Sequence, residues 1–304
     1  MASNSDLSVK LGTLELANPV IAASGTFGYG LEYAPFVDLD KLGGFCTKGL
    51  SLNPKLGNAV PRVIETSSGM LNAIGLENVG FEKFKREKLP LLQKYSTRII
   101  CNFFGNTMEE YGEMASALSE LDRVDALEMN ISCPNVEEGG VLFSSEPDVV
   151  EKVVGAARKA TSKYLIVKLS PNVTDISVIA QAAENAGADA ISLINTCVGM
   201  VVDIETQKPY LANGTGGLSG PAIKPIALNM VYRAARAVDI PVIGMGGIQT
   251  AEDALEFLMA GARAVQVGTA NFVDPACTWK IIQGIGDWCA AKGYPSLSDL
   301  PRMD

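Results

Sequence analysis

A chain of 304 residues, 47% of them apolar, holds enough hydrophobic material for a sizeable core in one large domain or two smaller ones. Its formal charge of -9 argues against nucleic acid or an anionic membrane as partner, because both reward a basic face. The absence of histidine removes the Ser-His-Asp triad, the H-E-x-x-H metalloprotease and every histidine general base.

The N-terminal stretch "MASNSDLSVKLGTLEL" has no apolar signal core, and no run approaches the roughly 18 apolar residues of a membrane span, so a soluble, cytoplasmic protein is expected. Short apolar runs rich in β-branched residues then recur down the chain: "PVIAASG" (19–25), "GGFCTKG" (43–49), "RIICNFFG" (98–105), "ALEMNISCPN" (126–135), "LIVKLSP" (165–171), "AISLINT" (190–196), "PVIGMGG" (241–247) and "AVQVGTA" (264–270). Continuous runs mark strands buried on both faces, the habit of parallel sheets covered by helices. Helical spacing fills the gaps, as in "DISVIAQAAENAGA" and "TAEDALEFLMAGA", the second opened by Thr250 as N-cap. Both helices stop at a glycine, Gly187 and Gly261, and the 74 residues between these make two units of about 37 each. Eight such units predict one α/β domain over residues 1–304, a (β/α)8 TIM barrel with long loops at its C-terminal face. A doubly wound sheet is the weaker alternative, since "GTGGLSG" and "GMGGIQT" both miss the G-x-G-x-x-G spacing. Residues 50–97 and 197–220 are too long for plain turns and follow strands, which puts both at the barrel end where active sites lie.

Polar residues collect where the apolar runs stop: Lys48-Gly49, Asn102, Asn130 to Cys133, Lys168 and Asn195-Thr196. Any one asparagine there is most simply a turn former; several at one barrel end suggest a site. Alternation puts Asn130 and Ser132 on one side of their strand and Ile131 and Cys133 on the other, with Cys133 already entering the loop. The six cysteines stand apart with no C-x-x-C pair, so free thiols in a reducing compartment are expected, with neither disulfides nor a metal cage. Each is most simply a packed thiol, and Cys133 is the exception because of its neighbours. "GMGGI" and "VGTA" place glycines where backbone N–H groups can approach a phosphate, although tight turns use glycine equally well. Together these features leave open a flavin or pyridoxal enzyme, or an aldolase using Lys48 or Lys168 as a Schiff base.

"SGTFGYG" (24–30), "TKGLSLNPKLGN" (47–58), "GMLNAIGLENVG" (69–80), "NISCPN" (130–135), "VKLSPNVTDI" (167–176), "NGTGGLSGPAIKP" (213–225), "IGMGGI" and "QVGTA" closely resemble dihydroorotate dehydrogenase, in that family's order, from about residue 7 to about 300. Among its classes the chain is most similar to class 1, whose members are soluble and use cysteine as base, and there to the NAD-linked type. The membrane-bound class has serine at that position and an N-terminal extension, and this chain shows neither.

The resemblance implies an FMN enzyme of pyrimidine biosynthesis that oxidises dihydroorotate to orotate. Cys133 would remove the C5 proton while hydride leaves C6. Lys48 would lie near flavin and substrate, and Asn72, Ala73, Ile74, Gly75, Leu76, Asn130, Asn195 and Thr196 would hold the pyrimidine. Asn102, Asn130 and Lys168 match flavin-ring contacts, Lys168 stabilising the anionic reduced form. Ser24, Gly49, Ile194, Gly220, Gly246, Gly247, Gly268 and Thr269 match the other FMN positions. With no dinucleotide fingerprint and no clustered cysteines, the chain needs an electron outlet. NAD-linked members use a second subunit carrying FAD and a 2Fe-2S cluster, so a homodimer complexed with such a subunit is expected; a homodimer reducing fumarate directly is the competing version.

Overall fold

The computed structural model describes residues 5–132 and 146–303. Eight parallel strands close into a barrel: β1 (Val20–Ala22), β2 (Gly44–Cys46), β3 (Arg98–Phe103), β4 (Ala126–Asn130), β5 (Tyr164–Lys168), β6 (Ala190–Leu193), β7 (Val242–Met245) and β8 (Ala264–Val267). Each pairs with its successor, and β8 pairs with β1. These are the eight apolar runs of the sequence, and the expected barrel is the observed one.

The helices behave as their spacing dictates. Pro147–Ala160 buries Val150, Val153, Val154 and Ala157 on one stripe, each valine contributing about 1.5–3 kcal/mol, and ends on Arg158 and Lys159, which complement its C-terminal dipole. Ala251–Met259 opens with the Thr250–Asp253 capping box. Gly187 and Gly261, the shared helix stops, have φ of +95° and +118°, which side chains rarely adopt.

Strand alternation divides the barrel interior along its axis. At the N-terminal end, inward residues including Ile21, Ile100, Ala126, Ile166 and Ile243 cluster with Leu11, Leu14 and Leu16. Those three leucines come from a hairpin, Val9–Leu11 with Leu14–Leu16, which seals that end with hydrocarbon. Further along, the inward positions turn polar: Asn102, Glu128, Ser192 and Gln266 are all buried. The opposite mouth is therefore the polar one.

Both long connections, which follow β2 and β6, fold over that mouth. Val63–Thr66, Gly69–Asn72, Cys197–Gly199 and Gly216–Ser219 form a four-stranded antiparallel sheet. Its central pair, Gly69–Asn72 with Gly216–Ser219, joins segments almost 150 residues apart in sequence. The sheet has a small core of its own, Leu71, Ala73 and Leu211.

Candidate active site

The floor of the mouth is built around Glu128, which lies two residues before Asn130 and so points to the same interior face of β4. Its carboxylate is fully buried and accepts from Asn102 Nδ2 at 2.7 Å, Ser192 Oγ at 2.9 Å and Gln266 Nε2 at 2.5 Å. Lys168 Nζ, the last residue of β5, stands 4.0 Å from Oε1 with its side chain 9% exposed. Five strands are thereby joined through one carboxylate, and the charged partners are buried together, as burial of charge requires. Gln266 Oε1 is left without a partner in this interior.

Above the floor lies an amide cluster. Asn195 Nδ2 donates to Asn130 Oδ1 at 3.3 Å and to Ser132 Oγ at 3.0 Å, while the Thr196 N–H donates to Asn195 Oδ1 at 2.9 Å. The backbone holds these residues in place: Tyr111 Oη donates to Asn130 O at 2.7 Å, and the Asn195 N–H donates to Leu169 O at 2.9 Å. Asn172 Nδ2 donates to Thr196 O at 3.2 Å. Asn195 and Thr196 thus sit on the loop just beyond β6, not on the strand itself.

The cap brings Asn72 to the same place. Asn72 is paired with Gly217, and a Cβ on Gly217 would stand 2.0 Å from Thr196 Oγ1, so cap strand and barrel rim are in direct contact. Of the loop that follows, Ala73 is buried in the cap's own core, and Leu76 packs against the main core. Their share in a site would fall to the backbone. Asn58 donates Nδ2 to Ala73 O at 3.0 Å and its N–H to Ile74 O at 2.9 Å. Leu76 holds φ of +60° directly after Gly75 at +79°. Such a conformation costs a leucine about 1–3 kcal/mol and is retained where the surroundings impose it, a recurrent mark of functional loops.

The remaining expected FMN positions come from six parts of the chain. Thr269 Oγ1 donates to Ser219 Oγ at 2.8 Å, and a Cβ on Gly247 would stand 3.0 Å from Gly220 O. The Ile194 N–H donates to Met245 O at 3.0 Å, beside Gly246. On the other side, the Ala23 N–H donates to Val267 O at 2.8 Å, bringing Ser24 near Gly268. Lys48, half-buried, is anchored by its N–H to Gly28 O at 2.7 Å, and a Cβ on Gly49 would meet Asn102 Oδ1 at 2.9 Å.

These glycines are not equivalent. Gly246 and Gly247 have φ of +126° and +76°, and added Cβ atoms would crowd Ala227 and Lys224, so turn geometry alone explains them. Gly268 is different: its φ is ordinary, and a Cβ would find Ala23 Cβ only at 3.7 Å. The protein leaves room there that a side chain would fill. That opening, the partnerless Gln266 Oε1 and the buried lysine offer space, an acceptor and a cation, a set that fits the polar ring of a flavin such as FMN.

Cys133, the expected base, lies outside the described residues, one position after Ser132. Burial above all, and then the neighbouring Glu128, push the Cys46 thiol well above its ordinary value. Burial pushes Cys101 up to about 12 and Cys197 up as well, and Cys197 packs against the core as expected. Glu128, Ser192 and Gln266 did not stand out in the sequence, whereas Ser132 falls on the Asn130 side of the strand as alternation expects. For Glu128 the available signal was period-two spacing, since Ala126, Glu128 and Asn130 share one strand face.

A family model described as dihydroorotate dehydrogenase matches residues 6–288. Over 295 residues, 97% of either chain, the sequence is 59% identical to "Dihydroorotate dehydrogenase B (NAD(+)), catalytic subunit" of Pelobacter propionicus. Proteins of the same description from Trichlorobacter lovleyi and Geotalea daltonii are 58% and 56% identical, again with 97% of each chain covered.

Proposed function

The chain belongs to the dihydroorotate dehydrogenase family, and we propose that it is the catalytic subunit of an NAD-linked enzyme that oxidises (S)-dihydroorotate to orotate in pyrimidine synthesis. The observation that carries this is the amide cluster of Asn130, Asn195 and Thr196 under the cap sheet, with Asn130 three residues before Cys133 in the chain. A cyclic imide presents several donors and acceptors, and each one left unpaired in a closed pocket costs about 1–3 kcal/mol. Asparagine supplies both kinds of partner without adding charge.

In this reading Cys133 takes the C5 proton of dihydroorotate as hydride leaves C6, and the C5–C6 double bond forms. Asn72, Asn130, Asn195 and Thr196, with the backbone of residues 73–76, hold the ring. Lys48 approaches substrate and cofactor together. FMN, held by the residues named next, would supply the hydride acceptor and the route by which the electron pair leaves. Asn102, Asn130 and Lys168 hold its ring, with Lys168 placing positive charge beside it. Ser24, Gly49, Ile194, Gly220, Gly246, Gly247, Gly268 and Thr269 receive the rest of the molecule.

The electrons then go to a partner subunit carrying FAD and a 2Fe-2S cluster, and the assembly is built on a homodimer of this chain in the cytoplasm. Purified protein should be yellow, release FMN on denaturation and bleach with dihydroorotate under anaerobic conditions. Colourless protein that dihydroorotate leaves unchanged after incubation with FMN would overturn the reading. Rapid reduction of fumarate or NAD⁺ by this chain alone would overturn the partner.

A further inference from the structure

We propose that Glu128 is a positioning residue of the reaction, a buried carboxylate that sets both the charge and the amide orientation of the floor on which the cofactor ring rests. This rests on the FMN reading above for its consequence, and on geometry for its premise. Asn102 offers two chemically different ends, and a carboxylate accepts only from the amino end. The 2.7 Å contact from Asn102 Nδ2 to Glu128 Oε1 therefore turns Oδ1 away from the carboxylate, and Gly49 approaches on that oxygen's side. The other oxygen, Oε2, is taken by Ser192 and Gln266, so the carboxylate cannot rotate without giving up both.

Lys168 is the only cation within 4.0 Å of this carboxylate among the described residues, and the two are buried together. Whatever field Lys168 projects into the mouth is partly balanced by Glu128 from below. Residues that merely hold strands together have no reason to be charged: Ser192 and Gln266 could bond to a neutral amide equally well. A formal negative charge beneath Lys168 limits how far the site favours an electron-rich ring, so electrons can leave as well as arrive.

The test uses Glu128→Gln and Glu128→Asp in the full chain with two readouts. The first is the side-chain amide resonance of Asn102 in flavin-free protein labelled with ¹⁵N-asparagine, assigned with Asn102→Ser. The second is the reduced-to-oxidised ratio of bound FMN, poised at the wild-type midpoint potential. Glu128→Gln should move the Asn102 resonance and raise that ratio by about tenfold, about 1.4 kcal/mol, because a negative charge has gone from beside Lys168. Glu128→Asp keeps the charge but is one methylene short of Asn102. It should move the resonance while leaving the ratio within about twofold of wild type.

A structural crosslink alone would alter melting temperature without moving the FMN ratio, so an unchanged ratio in Glu128→Gln overturns the proposal. An unmoved Asn102 resonance overturns it also. If Glu128→Gln does not fold, the resonance of Glu128→Asp decides in the same way. If wild-type protein takes up no FMN, the cofactor reading fails separately, and the Asn102 resonance still decides whether Glu128 orients that amide.

Discussion

Replacing Gly217 with alanine should damage substrate binding through a single methyl group. A Cβ at this position would stand 2.0 Å from Thr196 Oγ1, 2.6 Å from Thr196 Cβ and 3.2 Å from Thr196 Cγ2. Ordinary carbon contacts lie at about 3.5–4.0 Å, so something must move by roughly 1 Å. Rotating the threonine does not relieve the clash, because its Cβ is itself too close. Either the cap strand lifts from the rim or Thr196 is driven inward, and such overpacking costs about 1–3 kcal/mol. A displacement of about 1 Å in a reacting site can cost up to about 10²-fold, so kcat/KM for dihydroorotate should fall roughly 10- to 100-fold. Steady-state assays with a dye acceptor and titration with orotate measure this, with FMN content unchanged. Gly199→Ala is the control: it lies in the same sheet, and its Cβ would meet the end of the Leu71 side chain at 3.1 Å and Leu218 Cβ at an ordinary 3.8 Å. A Gly217→Ala enzyme with KM and orotate affinity within twofold of wild type would refute the view that cap and rim share the substrate.

Cys133→Ala should lose turnover by about 10²- to 10⁴-fold while retaining FMN, as removal of a general base does; activity within a fewfold of wild type ends that assignment. Gly268→Ala should melt within about 1 °C of wild type, since the protein has room for the methyl, yet bind FMN at least tenfold more weakly; unchanged FMN affinity would return Gly268 to a turn residue. Burial pushes Cys101 up to about 12, and burial followed by Asp274 does the same for Cys277. A raised thiol contributes stability that is complete below about pH 8.5, the unfolded value, and is lost as pH climbs towards 12. Urea unfolding at pH 7.5 and pH 10 should show about 2 kcal/mol lost per thiol at pH 10, and a Cys101→Ala/Cys277→Ala protein should lose correspondingly less. Identical pH dependence in the two proteins would contradict this.

All eight barrel strands were legible because a strand buried on both faces must be apolar throughout, and that pattern is local. The site was partly legible for the same reason in reverse. Lys168 stands out in "LIVKLSP" as a charge where hydrocarbon is expected, and the asparagines stand out at the ends of runs. Glu128 is the same kind of exception, but within "ALEMN" nothing local separates a carboxylate that faces solvent from one whose partners arrive on four other strands. The two long connections belong to the mouth because each follows a barrel strand, whereas their pairing with each other leaves no local mark in the sequence.

What remained hidden shares one physical cause. The pairing of Gly69–Asn72 with Gly216–Ser219, the seat of Thr196 under Gly217 and the convergence of Asn102, Lys168, Ser192 and Gln266 on Glu128 all join residues far apart in the chain. Periodicity and composition are properties of neighbours along the backbone, and they decide which segments become strands and which face each residue takes. Which neighbours those faces then meet depends on barrel closure and on how far the loops reach back over it. The apolar and polar ends of the interior were thus written residue by residue, while the carboxylate that joins five strands became visible only when the strands were brought round into a ring.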